Sequence, residues 1–399
     1  PSMIGIIGTA TSPDGQCGVQ RTLTLEPKIK SVRGYVDITD SKDLKKLKDV
    51  NLFSPGELSV PLGATRDDPI RIGHAIKQSK HMIPVKKSSP VLISNGVEES
   101  CRFDLSTDFV VNAKEDGKVV EYDEESKIMI VEYKSGAHQA INLAPTIVKN
   151  GGGGFWESNI LITNLKVGSR FKENDALAWN KDFFQNNKLN GCRMNMGTLT
   201  KVAIMSTYDT HQDATFITEK LSKDAASEMC FQRSVVVGKN ANVTFIANVG
   251  DEVEIGQSLI QFDTSFEDNS LNEFLSALSK DPRLEKEIMD SSRNNIKSKV
   301  AGTIEDIKIY STVDVDELSP SLGRIVKNYY NKINRKKKLL SKYDPDGSIV
   351  KCGLLVSETT GKVEPNKFGV IRGQKVEDSV LIEFYIKHVE LLEVGSKIA

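Results

Sequence analysis

Short β-rich runs separated by turn-forming residues are the feature of this sequence that most limits its fold. Val, Ile, Tyr and Phe fit the half-buried surface of a sheet, whereas Gly, Asp and Asn interrupt strands. The clearest predicted strands are Lys127–Tyr133, Val202–Met205, Ser234–Val237 and Val380–Ile386. Predicted helices are fewer and lie at Ile70–Met82, Ser270–Lys299 and Pro320–Tyr343. The sequence therefore predicts an α+β protein that is mainly β.

One pattern occurs twice, in residues 167–177 and 249–259. Each copy opens with Val-Gly, and each is predicted to place a glycine turn between two strands. This pattern is typical of small barrels and of barrel-sandwich modules. A carrier domain of that type would need a modifiable lysine in a tight hairpin, and no such signature is present.

The charge balance restricts where a nucleic acid could bind. The chain has 399 residues, 53 of them basic and 54 acidic, and a net charge of −1. It is long enough for two to four modules, and any nucleic-acid surface must be a local patch. Residues 255–351 read as a charged insertion that contains a basic predicted helix with Lys327, Lys332, Arg335, Lys336, Lys337 and Lys338. That helix fits either a solvated face or a surface for nucleic acid or an acidic partner.

The sequence lacks the motifs of several common metal and catalytic sites. The five cysteines are scattered without a CxxC pair, which argues against zinc and suits a reducing compartment. Neither HExxH nor GxSxG occurs. Gly151–Gly154 and Asp344–Ser348 are interpreted as turns. Without a signal peptide or a run of about 20 apolar residues, the chain is expected to be cytosolic.

Three segments contain charged and polar residues that are candidates for a functional site. Residues 67–84 begin with a typical helix start, Asp68-Pro69, and add cationic or polar groups at Arg71, Lys77, Lys80 and His81. Residues 195–221 run from a predicted strand into a loop with Asp213, a carboxylate that could equally cap a helix. Residues 389–399 form a tail that carries Lys397.

In this order, the three segments resemble the β subunit of bacterial RNA polymerase. Residues 67–84 align without a gap with the family's helix that runs from a D-D-x-N-R start to A-V-P. Residues 195–205 are similar to its A-L-G-x-N-x-x-V-A-F-M strand, and residues 389–399 resemble the opening of G-D-K-M-A-G-R-H-G-N-K. Further matches keep the family order at residues 5–23, 90–98 and 299–307. The divergence is similar to that of the split polymerase subunits of giant bacteriophages.

The resemblance implies a catalytic double-psi β-barrel with sandwich-barrel modules and an inserted flap. Residues 1–100 would form an active-site face with a basic helix at 69–82, and residues 101–230 the catalytic barrel region. Residues 231–375 would form the flap-like domain. Residues 376–399 would return to the catalytic barrel and end at the first lysine of the G-D-K-M-A-like motif.

Residue roles also follow from the resemblance. Arg71 aligns with an arginine that contacts the incoming triphosphate, and Lys397 with the first of two lysines at the RNA 3′ end. Asp213 aligns with an acid that supports the second Mg²⁺. Lys77, Lys80 and His81 would face substrate or RNA. Two departures are Gln212, where the family has glutamate, and Ile70, where it has asparagine.

The resemblance further implies a nucleotidyltransferase that is active only in a multisubunit complex. A β′-type partner would hold the catalytic Mg²⁺, and no direct metal ligand is expected here. Other expected partners are remaining β-subunit fragments, a promoter-recognition factor, DNA template, RNA and nucleoside triphosphates. The expected location is the cytoplasm of a bacterial host or the phage virion. The alternative is a non-catalytic nucleic-acid-binding scaffold of polymerase-like fold, favoured by Gln212 and Ile70.

Overall fold

The computed structural model of the chain describes fifteen stretches of residues. These are residues 4–9, 21–27, 29, 44–61, 69–80, 85–149, 156–187, 191–195, 197–205, 208, 215–263, 293–343, 370–371, 374–375 and 378–395. The predicted residues His81, Gln212, Asp213 and Lys397 lie outside them.

The described residues contain more strand than helix. The helices are α1 (Pro55–Ser59), α2 (Pro69–Lys80), α3 (Val97–Ser100), α4 (Glu219–Asp224) and α5 (Pro320–Tyr343), with short 3₁₀ helices at Leu44–Lys46, Asp49–Asn51, Cys101–Phe103 and Val315–Glu317. The first eleven strands are β1 (Val110–Asn112), β2 (Gly117–Asp123), β3 (Ile128–Tyr133), β4 (His138–Asn142), β5 (Thr146–Lys149), β6 (Trp156–Asn159), β7 (Leu161–Ile162), β8 (Arg170–Phe171), β9 (Ala176–Asn180), β10 (Phe184–Asn187) and β11 (Gly191–Met194). The remaining strands are β12 (Ser227–Gly238), β13 (Asn242–Ile246), β14 (Glu252–Val253), β15 (Ser258–Asp263), β16 (Arg293–Lys297), β17 (Gly302–Ser311), β18 (Val370–Ile371), β19 (Gln374–Lys375) and β20 (Ser379–Glu390).

A six-stranded antiparallel sheet, here called the central sheet, organises the second half of the chain. Its order is β14-β17-β20-β12-β6-β5. Strands β12 and β20 pair without a break from Ser227↔Glu390 to Gly238↔Ser379. Alternate β20 side chains enter the largest core, which includes Val380, Ile382, Phe384 and Ile386. Leu381 and Tyr385, on the other face, are buried as well, so the predicted strand Val380–Ile386 is confirmed as a strand covered on both faces.

The first half of the chain forms a separate β module between residues 110 and 180. Its two sheets have the orders β4-β3-β2-β8 and β1-β9-β7. They share one core that includes Val119, Val131, Phe171 and Leu177. Each sheet therefore buries one face against the other. Within the described ranges neither this module nor the central sheet closes into a barrel, and the expected catalytic barrel stays a prediction.

The Val-Gly pattern builds two turn units with the same hydrogen bonds. In the first unit, residues 166–177 bond to residues 113–119 through Gly168 N→Val119 O (2.9 Å), Val119 N→Ser169 O (2.9 Å), Asn174 N→Ala113 O (2.9 Å) and Ala113 N→Asp175 O (2.8 Å). In the second unit, residues 248–259 bond to residues 298–304 through Gly250 N→Ile304 O (2.8 Å), Ile304 N→Asp251 O (2.9 Å), Gly256 N→Ser298 O (2.9 Å) and Ser298 N→Gln257 O (2.8 Å). The partner segment precedes the Val-Gly segment in the first unit and follows it in the second.

Helix α5 joins the two halves. Leu322, Val326 and Tyr330, in its first half, pack into the core of the central sheet. Leu340, three turns later, packs on Ile128 and other residues of the outer face of the β4-β3-β2-β8 sheet. The predicted helix Pro320–Tyr343 is thus confirmed over its full length.

Other predicted elements divide into confirmed and wrong ones. The strands at Lys127–Tyr133 and Ser234–Val237 are confirmed by β3 and β12. The helix at Ile70–Met82 is confirmed by α2 as far as Lys80, and its last two residues lie outside the described ranges. The strand at Val202–Met205 is wrong, because these residues form no strand with any other described residue and are exposed. The helix at Ser270–Lys299 is wrong at its end, where Arg293–Lys297 forms β16 against β15.

Candidate functional site

One end of the central sheet gathers chain segments that are far apart in sequence. The β12/β20 pairing ends at Ser227↔Glu390. Helix α4 precedes β12, and its N-terminus is capped by Thr218, whose side chain accepts a hydrogen bond from the Leu221 amide. Ser222 of α4 donates a hydrogen bond of 2.6 Å to the carbonyl of Leu392, just beyond β20. Helix α4 and the tail after β20 are therefore fixed to each other.

A third segment joins them from the N-terminal part of the chain. The amide of Lys86 donates to Ala226 O at 2.8 Å, and that of Lys87 to Asp224 O at 3.1 Å. The Lys87 ammonium also lies 3.6 Å from the Asp224 carboxylate. We call segment 85–89, α4 and tail 391–395 together the junction.

Each segment of the resemblance ends close to the junction along the chain. Lys80, Asp213 and Lys397 are five residues from Val85, Thr218 and Leu392, respectively. A five-residue connection spans at most about 18 Å. Lys80, Asp213 and Lys397 are therefore each a short chain connection from the junction, whereas Arg71 lies farther along the chain, on α2.

Helix α2 carries the predicted triphosphate contact, Arg71. Its buried face holds Ile72 and Ile76, and it packs on α1, where a Cβ on Gly56 would lie only 2.7 Å from Ile76 Cα. The side chain of Arg71 is exposed and that of Lys77 is half-buried. Close packing on one face thus leaves the arginine on the solvent side.

A cleft of about 440 Å³, including its open mouth, lies beside the junction. Lys387 of β20 reaches into it and pairs with Glu228 of β12 at 2.8 Å. Lys181 approaches the same carboxylate at 3.4 Å and also lies 3.6 Å from Asp182. Lys387, Glu228 and Asp182 line the cleft and form with Lys181 a compact network of two cations and two anions, which was not predicted from the sequence.

Burial and ion pairing shift the pKa values of Glu228 and Lys387 in opposite directions. Burial would raise the pKa of Glu228, but the hydrogen bond and charge of Lys387, with Lys181, outweigh it, so the pKa is lowered. Burial would lower the pKa of Lys387, but Glu228 reverses this and the pKa is raised. Asp182 differs because burial dominates and raises its pKa. Glu228 and Lys387 are therefore held as an ion pair.

Cys230 also lines the cleft, but its thiol is poorly suited to nucleophilic chemistry. The side chain is buried and free of disulfide bonding. Burial raises the pKa of the Cys230 thiol to about 12, so the thiolate is scarce at neutral pH. Ser158, on the cleft wall, has a buried hydroxyl oxygen without a hydrogen-bond partner among the described residues.

The predicted basic surface on α5 divides into two groups. Arg335 pairs with Asp123 at 2.9 Å and also with Glu125, both beside the β2–β3 turn. Lys342, which the sequence reading did not single out, pairs with Glu121 at 2.7 Å. These contacts attach the helix to the first module. Lys327, Lys332 and Lys338 are exposed, as is Lys337, whereas Lys336 is half-buried.

Comparison with known proteins adds no assignment. No protein-family model matches the chain, and no curated protein matches it significantly. Within the described ranges no cluster of three or more His, Cys, Asp or Glu side chains could hold a metal ion. The described helices include none with the length and apolar character needed to cross a bilayer.

Proposed function

We propose that this chain is the middle part of a β-type subunit of a DNA-templated RNA polymerase. The observation that carries the proposal is the junction. Segment 85–89 and α4, at or just beyond the ends of the first two matched segments, and tail 391–395 of the third are up to about 300 residues apart in sequence. Hydrogen bonds tie them together at one end of the central sheet. Such convergence is what a shared active site needs, because its groups must be held on rigid elements.

The proposed chemistry is phosphate recognition. Arg71 would contact the incoming triphosphate, since a guanidinium forms strong charge-assisted hydrogen bonds to phosphoryl oxygens. Lys397 would contact the RNA 3′ end. Asp213 would support the second metal ion, with Gln212 beside it. The catalytic Mg²⁺ would be held by a β′-type partner and would activate the RNA hydroxyl and the leaving pyrophosphate.

Within this proposal the Lys387–Glu228 pair has a positioning role. Lys387 precedes the tail on the same strand, and the pair clamps β20 to β12 four residues before the chain reaches Leu391. A fixed β20 gives the tail a defined starting direction. Neither residue needs to touch substrate for this.

The proposal is tested by purifying the complex that contains this chain and assaying templated RNA synthesis with and without it. RNA synthesis that requires the chain, together with a co-purified partner carrying a D-x-D-G-D motif, is the expected result. Full synthesis by a complex that lacks the chain would refute the proposal.

A non-catalytic scaffold of the same fold is the second candidate. Gln212 and Ile70 favour it, because each replaces a polar or charged family residue near the proposed substrate. A scaffold would be needed for assembly of the complex, but substitutions at Arg71 would leave nucleotide addition unchanged.

A further inference from the structure

We propose that the solvent face of α5 binds the sugar–phosphate backbone of a nucleic acid. The helix spans 24 residues with eight lysines and arginines and no carboxylate, in a chain whose net charge is −1. The remainder of the chain is therefore net negative. A local concentration of cations on one helix is the electrostatic footprint of backbone binding.

Some cations of α5 are engaged with the first module and others are presented to solvent. Arg335 and Lys342 are engaged with carboxylates of the first module. Arg324, Lys327 and Lys338 are exposed, and none has an ion pair to another described residue. The buried side chains of α5, which include Leu322, Val326 and Leu340, occupy a different side of the helix.

Three exposed cations and two exposed asparagines form one continuous stripe, and the exposed Lys332 and Lys337 lie outside it. Arg324, Lys327, Asn331, Asn334 and Lys338 follow each other at steps of three or four residues, and all are exposed. Residues at this spacing share one helix face. The stripe covers fourteen residue steps, or about 21 Å at 1.5 Å per residue. That length matches about six phosphates along one strand of B-form DNA.

The surroundings of the stripe favour nucleic acid over an acidic protein. Protein interfaces generally bury apolar or aromatic anchors at their centre. None of the exposed large hydrophobic residues in the described part of the chain lies between residues 320 and 343. Interfaces with nucleic acid are more polar and more positive, and lysine, arginine and asparagine are common phosphate contacts.

The test measures binding of the full 399-residue chain to fluorescent duplex DNA, single-stranded DNA and an RNA–DNA hybrid between 50 and 200 mM salt, by anisotropy. The variant is Arg324→Gln/Lys327→Gln/Lys338→Gln. The matched control is Lys166→Gln/Arg170→Gln/Lys172→Gln, which removes the same charge from three exposed cations of the first module. Circular dichroism checks that both remain folded.

The stripe variant is expected to lose at least about tenfold in affinity at low salt, and its log–log salt slope should fall by about 2–3, since each lost phosphate contact contributes about 0.9. The control should keep the parent slope. Equal losses in variant and control, no binding at 50 mM salt, or preferential binding of poly-glutamate would each overturn the proposal. None of these results depends on RNA synthesis, so the stripe and the polymerase assignment can fail separately.

Discussion

The two turn units have the same hydrogen bonds but different surroundings. The first unit lies at the edge of the first module, where Gly117 on β2 packs against Phe171. In the second unit, Gly302 on β17 packs directly against the backbone of Lys387 in the central sheet. A similar local motif thus lies at an edge of the first module in one half of the molecule and packs against the strand that carries Lys387 in the other.

The difference shows that the role of a Val-Gly turn unit depends on the strands it packs against and not on the turn itself. The turns themselves need only a residue that tolerates positive φ, and Gly168 and Gly250 have φ values of 85° and 94°. The second unit also contributes β17, which pairs with β20 from Thr303↔Lys387 to Ser311↔Val380. We therefore expect a disturbance of the second unit to affect Lys387, and one of the first unit to leave it unchanged.

The largest expected effect comes from filling the two close approaches. A Cβ on Gly302 would collide with the carbonyl oxygen of Lys387, and one on Gly117 with that of Glu132. Because each obstacle is backbone, we expect Gly302→Ala and Gly117→Ala each to lower the free energy of unfolding by about 3 kcal/mol. Urea unfolding followed by circular dichroism measures both.

The same two variants are expected to differ in their effect on RNA synthesis. In the assembled complex, Gly302→Ala should also reduce RNA synthesis per folded molecule, whereas Gly117→Ala should reduce only the folded fraction. Equal specific activity in the two variants would break the comparison.

The next largest effect concerns the ion pair of the cleft. Glu228→Gln leaves the half-buried Lys387 without its closest anion, and we expect a loss of about 2 kcal/mol at pH 7. Glu132→Gln, which removes the half-buried partner of the exposed Lys118 in the first module, is the control and should change stability much less than Glu228→Gln does.

The pH dependence of that loss has a defined sign. The pKa of Glu228 is lowered in the folded protein, so its contribution is complete above the ordinary value of 4.5 and declines as the pH falls through the folded-state pKa. The difference between parent and Glu228→Gln in urea titrations should therefore shrink below pH 4.5. Burial, and to a smaller extent the Glu228 charge, raise the pKa of Asp182, so Asp182 titrates in the opposite sense to Glu228. A difference that grows with acid would contradict the pairing.

A smaller effect tests whether the turns are equivalent. No atom lies within 4 Å of a Cβ added to Gly168 or Gly250, so Gly→Ala there costs only backbone strain. We expect each substitution to cost about 1 kcal/mol. Thermal unfolding should give matching shifts for the two variants, and a large mismatch would show that the units differ in more than their surroundings.

The smallest effect is expected at the contact between α5 and the first module. Arg335 is half exposed, so Arg335→Ala should cost about 0.5 kcal/mol. Amide hydrogen exchange near residues 121–126 should become faster, whereas the global free energy of unfolding should change little. Unchanged exchange there would mean that Leu340 alone holds the helix end.

The features predicted well from the sequence are those that depend on residues close together along the chain. Helix α5 follows from its periodic apolar positions, and both Val-Gly turns follow from glycine at positive φ. The partner segments of the turns could not be predicted, because their order along the chain is reversed between the units and no local signal encodes it. Val202–Met205 was wrong for a related reason, since β propensity does not supply a neighbouring strand.

The candidate site was predicted only in part. Arg71 and Lys77 lie on a helix as expected, whereas Asp213 and Lys397 lie outside the described residues and stay predictions. Lys387 and Glu228 were missed because their pairing depends on the register of β12 against β20. One signal was available: Lys387 ends an apolar strand, where a cation usually needs a partner.

Single-nucleotide addition by the assembled complex tests the central claim most directly. We expect Arg71→Ala to lower kcat/KM by about 100-fold, as for loss of one preorganised donor to a transition-state oxygen. Arg170→Ala, an exposed arginine of the first module, should behave like the parent. Equal rates for Arg71→Ala and Arg170→Ala would contradict the claim that α2 and the junction form a phosphate-binding site.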